Sequence, residues 1–407
     1  VNTIDLAFDF DLAANPSAEP DTAYGPRQFR VLDPEACADA RRSIAEWPGY
    51  RPTPLVSLAG LARRLGIAAL YYKQEDARFG LRSFKPLGGA YAVLRRLERI
   101  IAERVGMEAD TADLLGGRYA EIAAGVTVTA ATDGNHGRSV AWGARMFGCN
   151  CVIYINESVS VGREKAIEAF GAEVRRNPGS YDDAVRKAFA MAASEGWHVI
   201  PDTTDGTVFD APRDVMLGYS VMAAEAIEQL PRGVRPSHIF LQAGVGGMAA
   251  ATCAEFWLAY GADRPVTITV EPAQCACWFH SLENRSPTAI TGDIDSLMAG
   301  LACGEVSMLA WDILQPGAHF AMTVEDDAAK CCMRLLADAP FGDVPLVGGE
   351  SGVAGLAGLI AVSQDADARR QVGLGKASTV VVFGTEGATD PEMYREIVGR
   401  SAEQVVA

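Results

Sequence analysis

The sequence has no apolar run long enough to span a membrane as a helix, so a membrane-embedded helical protein is not expected. Positive charge is in short supply: 36 Lys and Arg stand against 52 Asp and Glu, a formal net charge of −16. That balance argues against nucleic acid or an anionic membrane surface as the main partner. Histidine is scarce, with five residues, and none pairs with cysteine at metal-ligand spacing, so no metal site is expected. The nine cysteines are an odd number without framework spacing. Cys37, Cys149, Cys151, Cys253, Cys331 and Cys332 fall in apolar contexts and read as core thiols. This usage fits a reducing, cytoplasmic setting, with one pairing, Cys277 with Cys303, left open as a disulfide. The opening Val1–Asp5 carries neither the basic region nor the apolar core of a signal peptide. Internal repeats and low-complexity tracts are absent, and so is the G-x-G-x-x-G spacing of a dinucleotide fold.

What is there is a chain of 407 residues, 49% hydrophobic, too long for one small core and expected to form two α/β domains. Asp33 is a plausible cap for a short helix from Pro34 to Ile44 within an otherwise irregular first 50 residues. Arg51–Leu55 is extended because each residue before a proline leaves the α region. A buried strand over 69–75 leads to Ser83-Phe84-Lys85-Pro86-Leu87-Gly88-Gly89-Ala90, read as a loop lysine, a turn, and a helix from Ala90 to about Val105. From Val126 to Ile200 strands and helices alternate as βαβαβαβ, the signature of a parallel sheet. A second series comes after it. It comprises a helix 213–229, strand 238–242, helix 248–260, strand 267–270, an irregular stretch to Glu305, helices 324–337 and 352–363, and strand 379–383.

Glycine-bearing junctions at strand ends are the candidate sites. Gly244-Val245-Gly246-Gly247-Met248 lies between a strand and a helix. Its backbone N–H groups and the helix N-terminus suit a phosphate, although a tight turn without ligand has the same composition. Thr132-Asp133-Gly134-Asn135-His136-Gly137 crowds an acid, an amide and an imidazole into one turn; an Asx turn capping the helix is the other reading. Gly348-Gly349-Glu350-Ser351-Gly352 opens a helix, with Ser351 as a possible cap, and Gly384-Thr385-Glu386-Gly387 follows the last strand. Asp202 follows a strand directly, and Glu271, at another strand end, reads as structural. Lys85 taken alone reads as a solvated loop lysine.

Together these stretches resemble the fold-type II pyridoxal-phosphate enzymes, the tryptophan synthase β-like group that includes serine and threonine dehydratases. The motifs are the Thr53-Pro54-Leu55 opening, Lys85 after Ser-Phe and before two glycines, the Gly-Asn-His-Gly loop and the two later turns. Arg78-Phe79-Gly80-Leu81, the aspartate of Asp133-Gly134-Asn135-His136-Gly137-Arg138, Ala299–Glu305 and Thr385-Glu386-Gly387 are similar to the diaminopropionate ammonia-lyase branch. The resemblance spans roughly residues 50–400. It departs at Pro86 and over the first 50 residues.

The resemblance implies two three-layer α/β domains with mainly parallel sheets: residues 1–89 with 206–407 as the large cofactor domain, and 90–205 as the small one. Pyridoxal 5′-phosphate would be the cofactor. Lys85 would form a Schiff base with its aldehyde, and Gly244, Val245, Gly246, Gly247 and Met248 would hold its phosphate. Asn135 would bond the ring hydroxyl, Thr385 would face the ring nitrogen, and Glu350 would lie near the ring edge. A hydroxyl partner does not force the ring nitrogen to stay protonated, which favours expulsion of a β leaving group over transamination. A desolvated lysine is a usable nucleophile and base. Thr132, Asp133, His136 and Asp202 would bind substrate, the two carboxylates favouring a β-ammonium group. Lys85 and Asp133 would each take the α-proton of one enantiomer. The implied reaction is α,β-elimination of L- and D-2,3-diaminopropionate to pyruvate and ammonia by a homodimer. Serine/threonine dehydratase and hydroxyaspartate-type ammonia-lyase are the alternatives of the same fold; a non-catalytic module for a phosphate-bearing ligand is the alternative of another class.

Overall fold

The computed structural model describes residues 6–132, 134–157, 159–179, 181–292 and 294–407. Its strands, in chain order, are β1 (Leu12–Ala14), β2 (Leu55–Ser57), β3 (Ala69–Gln74), β4 (Thr127–Ala131), β5 (Asn150–Asn156), β6 (Glu173–Asn177), β7 (His198–Val199), β8 (His238–Gln242), β9 (Val266–Pro272), β10 (Phe320–Val324) and β11 (Thr379–Gly384). The chain divides into two compact units, one of residues up to 31, 52–83 and 222–407, the other of 32–51 and 84–221. Among the described residues no helix is long and apolar enough to cross a membrane.

The first unit is built on a seven-stranded sheet ordered β1-β10-β9-β8-β11-β3-β2. The five central strands run parallel, while β1 and β2 close the edges antiparallel. Central strands buried on both faces read as continuous apolar runs, as in the Thr-Val-Val-Val-Phe-Gly of β11, where Val380–Phe383 are all buried. The helix Ala354–Gln364 is apolar on every side and packs with Phe240, Val270, Met322 and Val382 in one core. Val382 pairs in register with Phe240, so the segments that leave β8 and β11 emerge side by side at the carboxyl edge of the sheet.

Several elements differ from the sequence expectation. Phe320–Val324 is a strand, although its last residue was expected to start a helix; the helix begins at Asp326. The stretch expected to be irregular holds the helix Cys277–Asn284. Ser351 does not cap a helix. Its hydroxyl accepts from Gly300 N at 3.0 Å, and the helix starts three residues later with Val353 as its cap position. All nine cysteines are free thiols, including Cys277 and Cys303. Arg78 is also fully buried. Its guanidinium bridges Glu75 and Glu225, while Lys73 bonds Glu225 at 2.7 Å and the Thr53 carbonyl at 2.7 Å. Two acids and two bases thus neutralise one another where none meets water.

The second unit carries the parallel sheet β6-β5-β4-β7. The chain steps from β4 outward to β6 and then returns to β7 on the far side of β4. Right-handed crossovers put the connecting helices of those two excursions on opposite faces. The carboxyl ends of β4 and β7 therefore form a topological switch point, where α/β sheets place ligands. The helix that carries the lysine runs Lys85–Val105, beginning at Lys85 itself with Pro86 in its first turn. There is no turn before Ala90. Gly88 and Gly89 sit inside the helix because neighbours come too close for side chains. A Cβ on Gly89 would lie 1.9 Å from Ser139 Oγ, and one on Gly88 would lie 2.4 Å from the Tyr219 ring.

Candidate active site

In the second unit the switch point gathers three of the expected residues. Lys85 Nζ donates to Asp202 Oδ2 at 2.8 Å. Asp202 leaves β7, and His136 lies in the first turn of the helix Asn135–Phe147 that follows β4. His136 Nε2 donates to the Ile200 carbonyl at 2.7 Å, which assigns the proton of the neutral ring to Nε2. Its Nδ1 faces Asp202 Oδ2 at 3.8 Å. Burial disfavours charge on Asp202, but the Lys85 ammonium outweighs it and holds the carboxyl well below the usual carboxylate range. Burial lowers His136, so the imidazole is neutral beside an ionised acid. Nζ also lies 5.6 Å from the Phe84 ring centroid and 5.7 Å from that of Tyr219, so an ion pair and two aromatic walls fix the amine. The Thr132 hydroxyl accepts from Gly134 N at 2.9 Å and from Gly137 N at 3.1 Å; it caps the helix. Asn135 is the first helical residue. Asp133 lies outside the described residues.

In the first unit the other expected residues come together at the ends of β8 and β11. Gly246, at φ +98°, turns the chain into the helix Gly247–Tyr260 and bears no capping side chain. Among the described residues no protein group accepts from the backbone N–H of Gly244, Val245, Gly246, Gly247 or Met248. Thr385 is buried, and its Oγ1 accepts from Gln242 Nε2 at 2.8 Å. The carbonyls of Phe383 and Gly352 also lie within 3.1 Å of Gln242 Nε2, so its two hydrogens are shared among three acceptors. Glu350 is buried in the 348–352 turn. Gly349 N donates to Glu386 O at 2.9 Å and Ser351 N to Glu386 Oε1 at 3.0 Å, which ties that turn to 385–387.

Some residues that matter here carried no sequence signal. In the sequence Phe84 is legible only as part of the motif before Lys85, not as a wall of the site, and Tyr219 comes from a helix interior. Gln242 could have been noticed as a polar residue ending a strand of otherwise apolar character. Glu271, read as structural, is so in a specific sense: its carboxylate accepts from Trp278 N and Phe279 N, both at 2.8 Å. Burial pushes it up to about 8 against those donors.

The donor set of the glycine turn suits a phosphate: uncommitted N–H groups, one after another, at an uncapped helix N-terminus. A neighbouring hydroxyl held by an amide suits a heteroaromatic nitrogen. Residues 46–386 match the family described as pyridoxal-phosphate dependent enzyme, and the chain belongs to it. Its cofactor is therefore pyridoxal 5′-phosphate. Within the family the chain is similar to the diaminopropionate ammonia-lyase of Escherichia coli (strain K12), 38% identical over 366 residues, covering 88% of this chain and 90% of that one. The same enzyme of Salmonella typhimurium (strain LT2) is 36% identical over 368 residues, covering 87% and 90%. The crystal structure of the holo Escherichia coli enzyme superposes with a TM-score of 0.86 at 35% identity, covering 96% of this chain and 97% of that one. The structure of that enzyme with an aminoacrylate–PLP azomethine reaction intermediate gives the same figures.

Proposed function

We propose that this chain is a carbon–nitrogen lyase that eliminates ammonia from 2,3-diaminopropionate, taking both L and D isomers to pyruvate and ammonia. The observation that carries the reading is the Lys85 amine, set on a helix N-terminus and paired with Asp202 at 2.8 Å. The likeness to diaminopropionate ammonia-lyases supports the choice of substrate.

Bound pyridoxal phosphate supplies the electron sink that acidifies the substrate's α-hydrogen. Gly244, Val245, Gly246, Gly247 and Met248 would hold its phosphate, Lys85 its aldehyde carbon, Asn135 its ring hydroxyl and Thr385 its ring nitrogen, with Glu350 near the ring edge. Lys85 takes the α-proton of one enantiomer, and Asp202 stabilises the ammonium that results. Asp133 takes the proton of the other enantiomer. Asp202 and Asp133 add the negative charge that a β-ammonium substrate requires and a β-hydroxyl substrate does not. His136 and Thr132 would bind substrate beside Asp202, with Thr132 held by Gly134 N and Gly137 N and His136 by the Ile200 carbonyl. We read the enzyme as a cytoplasmic homodimer. The nine free thiols fit a reducing compartment, and the dimer is what the resemblance implies.

The test is a substrate panel with the pyridoxal-phosphate-loaded protein. Diaminopropionate is expected to exceed L-serine and L-threonine in kcat/KM by at least about a hundredfold, near the lower end of what losing one partner of a buried charge pair costs. A preference for serine or threonine would replace this reading with a dehydratase. A protein that takes up no cofactor and stays colourless would favour a non-catalytic binding module.

A further inference from the structure

The backbone carbonyls of the glycine turn are all taken up from the protein side. Trp278 Nε1 donates to Gly244 O at 3.0 Å, and the Cys277 thiol lies 3.8 Å from the same oxygen. Ser307 N donates to Val245 O at 2.9 Å and Ala250 N to Gly246 O at 2.8 Å. In a planar trans peptide a C=O and the N–H that follows it point in opposite directions. Three carbonyls turned toward protein donors therefore turn the N–H groups of Val245, Gly246 and Gly247 the other way. The indole also occupies the space a side chain at 246 would need: a Cβ there would sit 2.3 Å from Trp278 Cζ2 and 2.7 Å from Nε1. The backbone at 246 is held in the left-handed region by a turn that only glycine fits.

Trp278 has little freedom of its own. It is fully buried, its ring stacks on Trp311 at 6.0 Å between centroids, and its backbone N–H is held by Glu271 Oε1 at 2.8 Å. Glu271 Oε2 takes Phe279 N at the same distance. One buried carboxylate thus sets the start of the helix Cys277–Asn284, that helix sets the indole, and the indole sets the turn.

We infer that Trp278, held by Glu271, is the positioning residue that aims the backbone N–H groups of Val245, Gly246 and Gly247 at the phosphate of the cofactor. The inference rests on the cofactor reading of the turn. A residue that merely filled the core would support the fold without distinguishing a phosphorylated aldehyde from its phosphate-free counterpart.

The experiment titrates apoprotein with pyridoxal phosphate and, separately, with pyridoxal, following the near-visible band. Trp278→Phe keeps an aromatic ring and removes the N–H. Its affinity for pyridoxal phosphate is expected to fall about tenfold, the effect of one hydrogen bond, and its affinity for pyridoxal to change less than about twofold. Inorganic phosphate should compete correspondingly less well. A folded Trp278→Phe that keeps the wild-type ratio of the two affinities, including one in which both fall equally, overturns the inference. If that variant does not fold, Glu271→Gln serves: a smaller shift of the ratio in the same direction supports the inference, and an unchanged ratio overturns it. A wild type that prefers pyridoxal phosphate no more than pyridoxal overturns the phosphate reading of the turn itself, and the inference with it.

Discussion

Several of the residues proposed for the chemistry are held by a specific partner. Lys85 is pinned by Asp202 and walled by Phe84 and Tyr219. Asp202 is kept ionised against its own burial, and His136 is kept neutral with its proton on the Ile200 side. Thr385 receives a hydrogen bond and retains a proton to give. The two-base proposal makes a specific demand on Asp133. Asp133→Asn is expected to lower kcat/KM on D-diaminopropionate by about a hundredfold or more, the usual contribution of a positioned base, and on the L isomer by less than about tenfold. Equal losses on both isomers would remove Asp133 from its role. Lysine, polar loop and glycine turn were each visible as residue types beside strand ends. Their partners were not, because Tyr219, Gln242 and Trp278 belong to elements distant in sequence, and nothing local marks which interior aromatic or amide will face the site.

At the scale of elements, Lys85 is placed by helix packing. Gly89 and Gly143 let the helices Lys85–Val105 and Asn135–Phe147 approach until Ser139 and Ala90 fill the gap. Gly89→Ala, which would put a Cβ 1.9 Å from Ser139 Oγ, is expected to destabilise the protein by about 1–3 kcal/mol as overpacking does. Gly89→Ala with Ser139→Ala should recover part of the loss; urea unfolding checks both. The same packing explains why the helix starts earlier than its sequence suggests. Two adjacent glycines have poor helix propensity and look like a turn, but tertiary contact overrides that preference. Most of the parallel strands were legible as short apolar runs between turn residues, and Asp33 does cap its helix by accepting from Ala36 N. β10 was not legible because a five-residue run such as Phe-Ala-Met-Thr-Val has no period long enough to separate strand from helix. The helix Cys277–Asn284 was hidden because its eight residues, which bury Cys277, Trp278, Ser281 and Leu282 on one face, are too few for the period to stand out.

Across the whole molecule, buried carboxyls pull stability in two directions with pH. Burial raises Glu271 to about 8, Glu98 to about 7 and Asp214 to about 6, in the last two cases against nearby arginines. A carboxyl whose folded pKa is raised binds more protons folded than unfolded. Its contribution is therefore greatest below the unfolded value and is lost as pH rises through the folded one. Asp202 and Glu225 are shifted the other way, by Lys85 and by Arg78 with Lys73, despite their burial. Their contribution is present above the unfolded value and is lost as pH falls through the folded one. The melting temperature is accordingly expected to decline from about pH 5 to pH 8, and Glu271→Gln should flatten the upper part of that decline. A wild-type profile that rises across this interval would contradict the assignment. The products from each isomer measure the proposed reaction most directly. With pyridoxal phosphate bound, the wild-type enzyme should release one pyruvate and two ammonia from L-diaminopropionate and the same from the D isomer; a loaded, folded enzyme that releases pyruvate from neither would contradict the account.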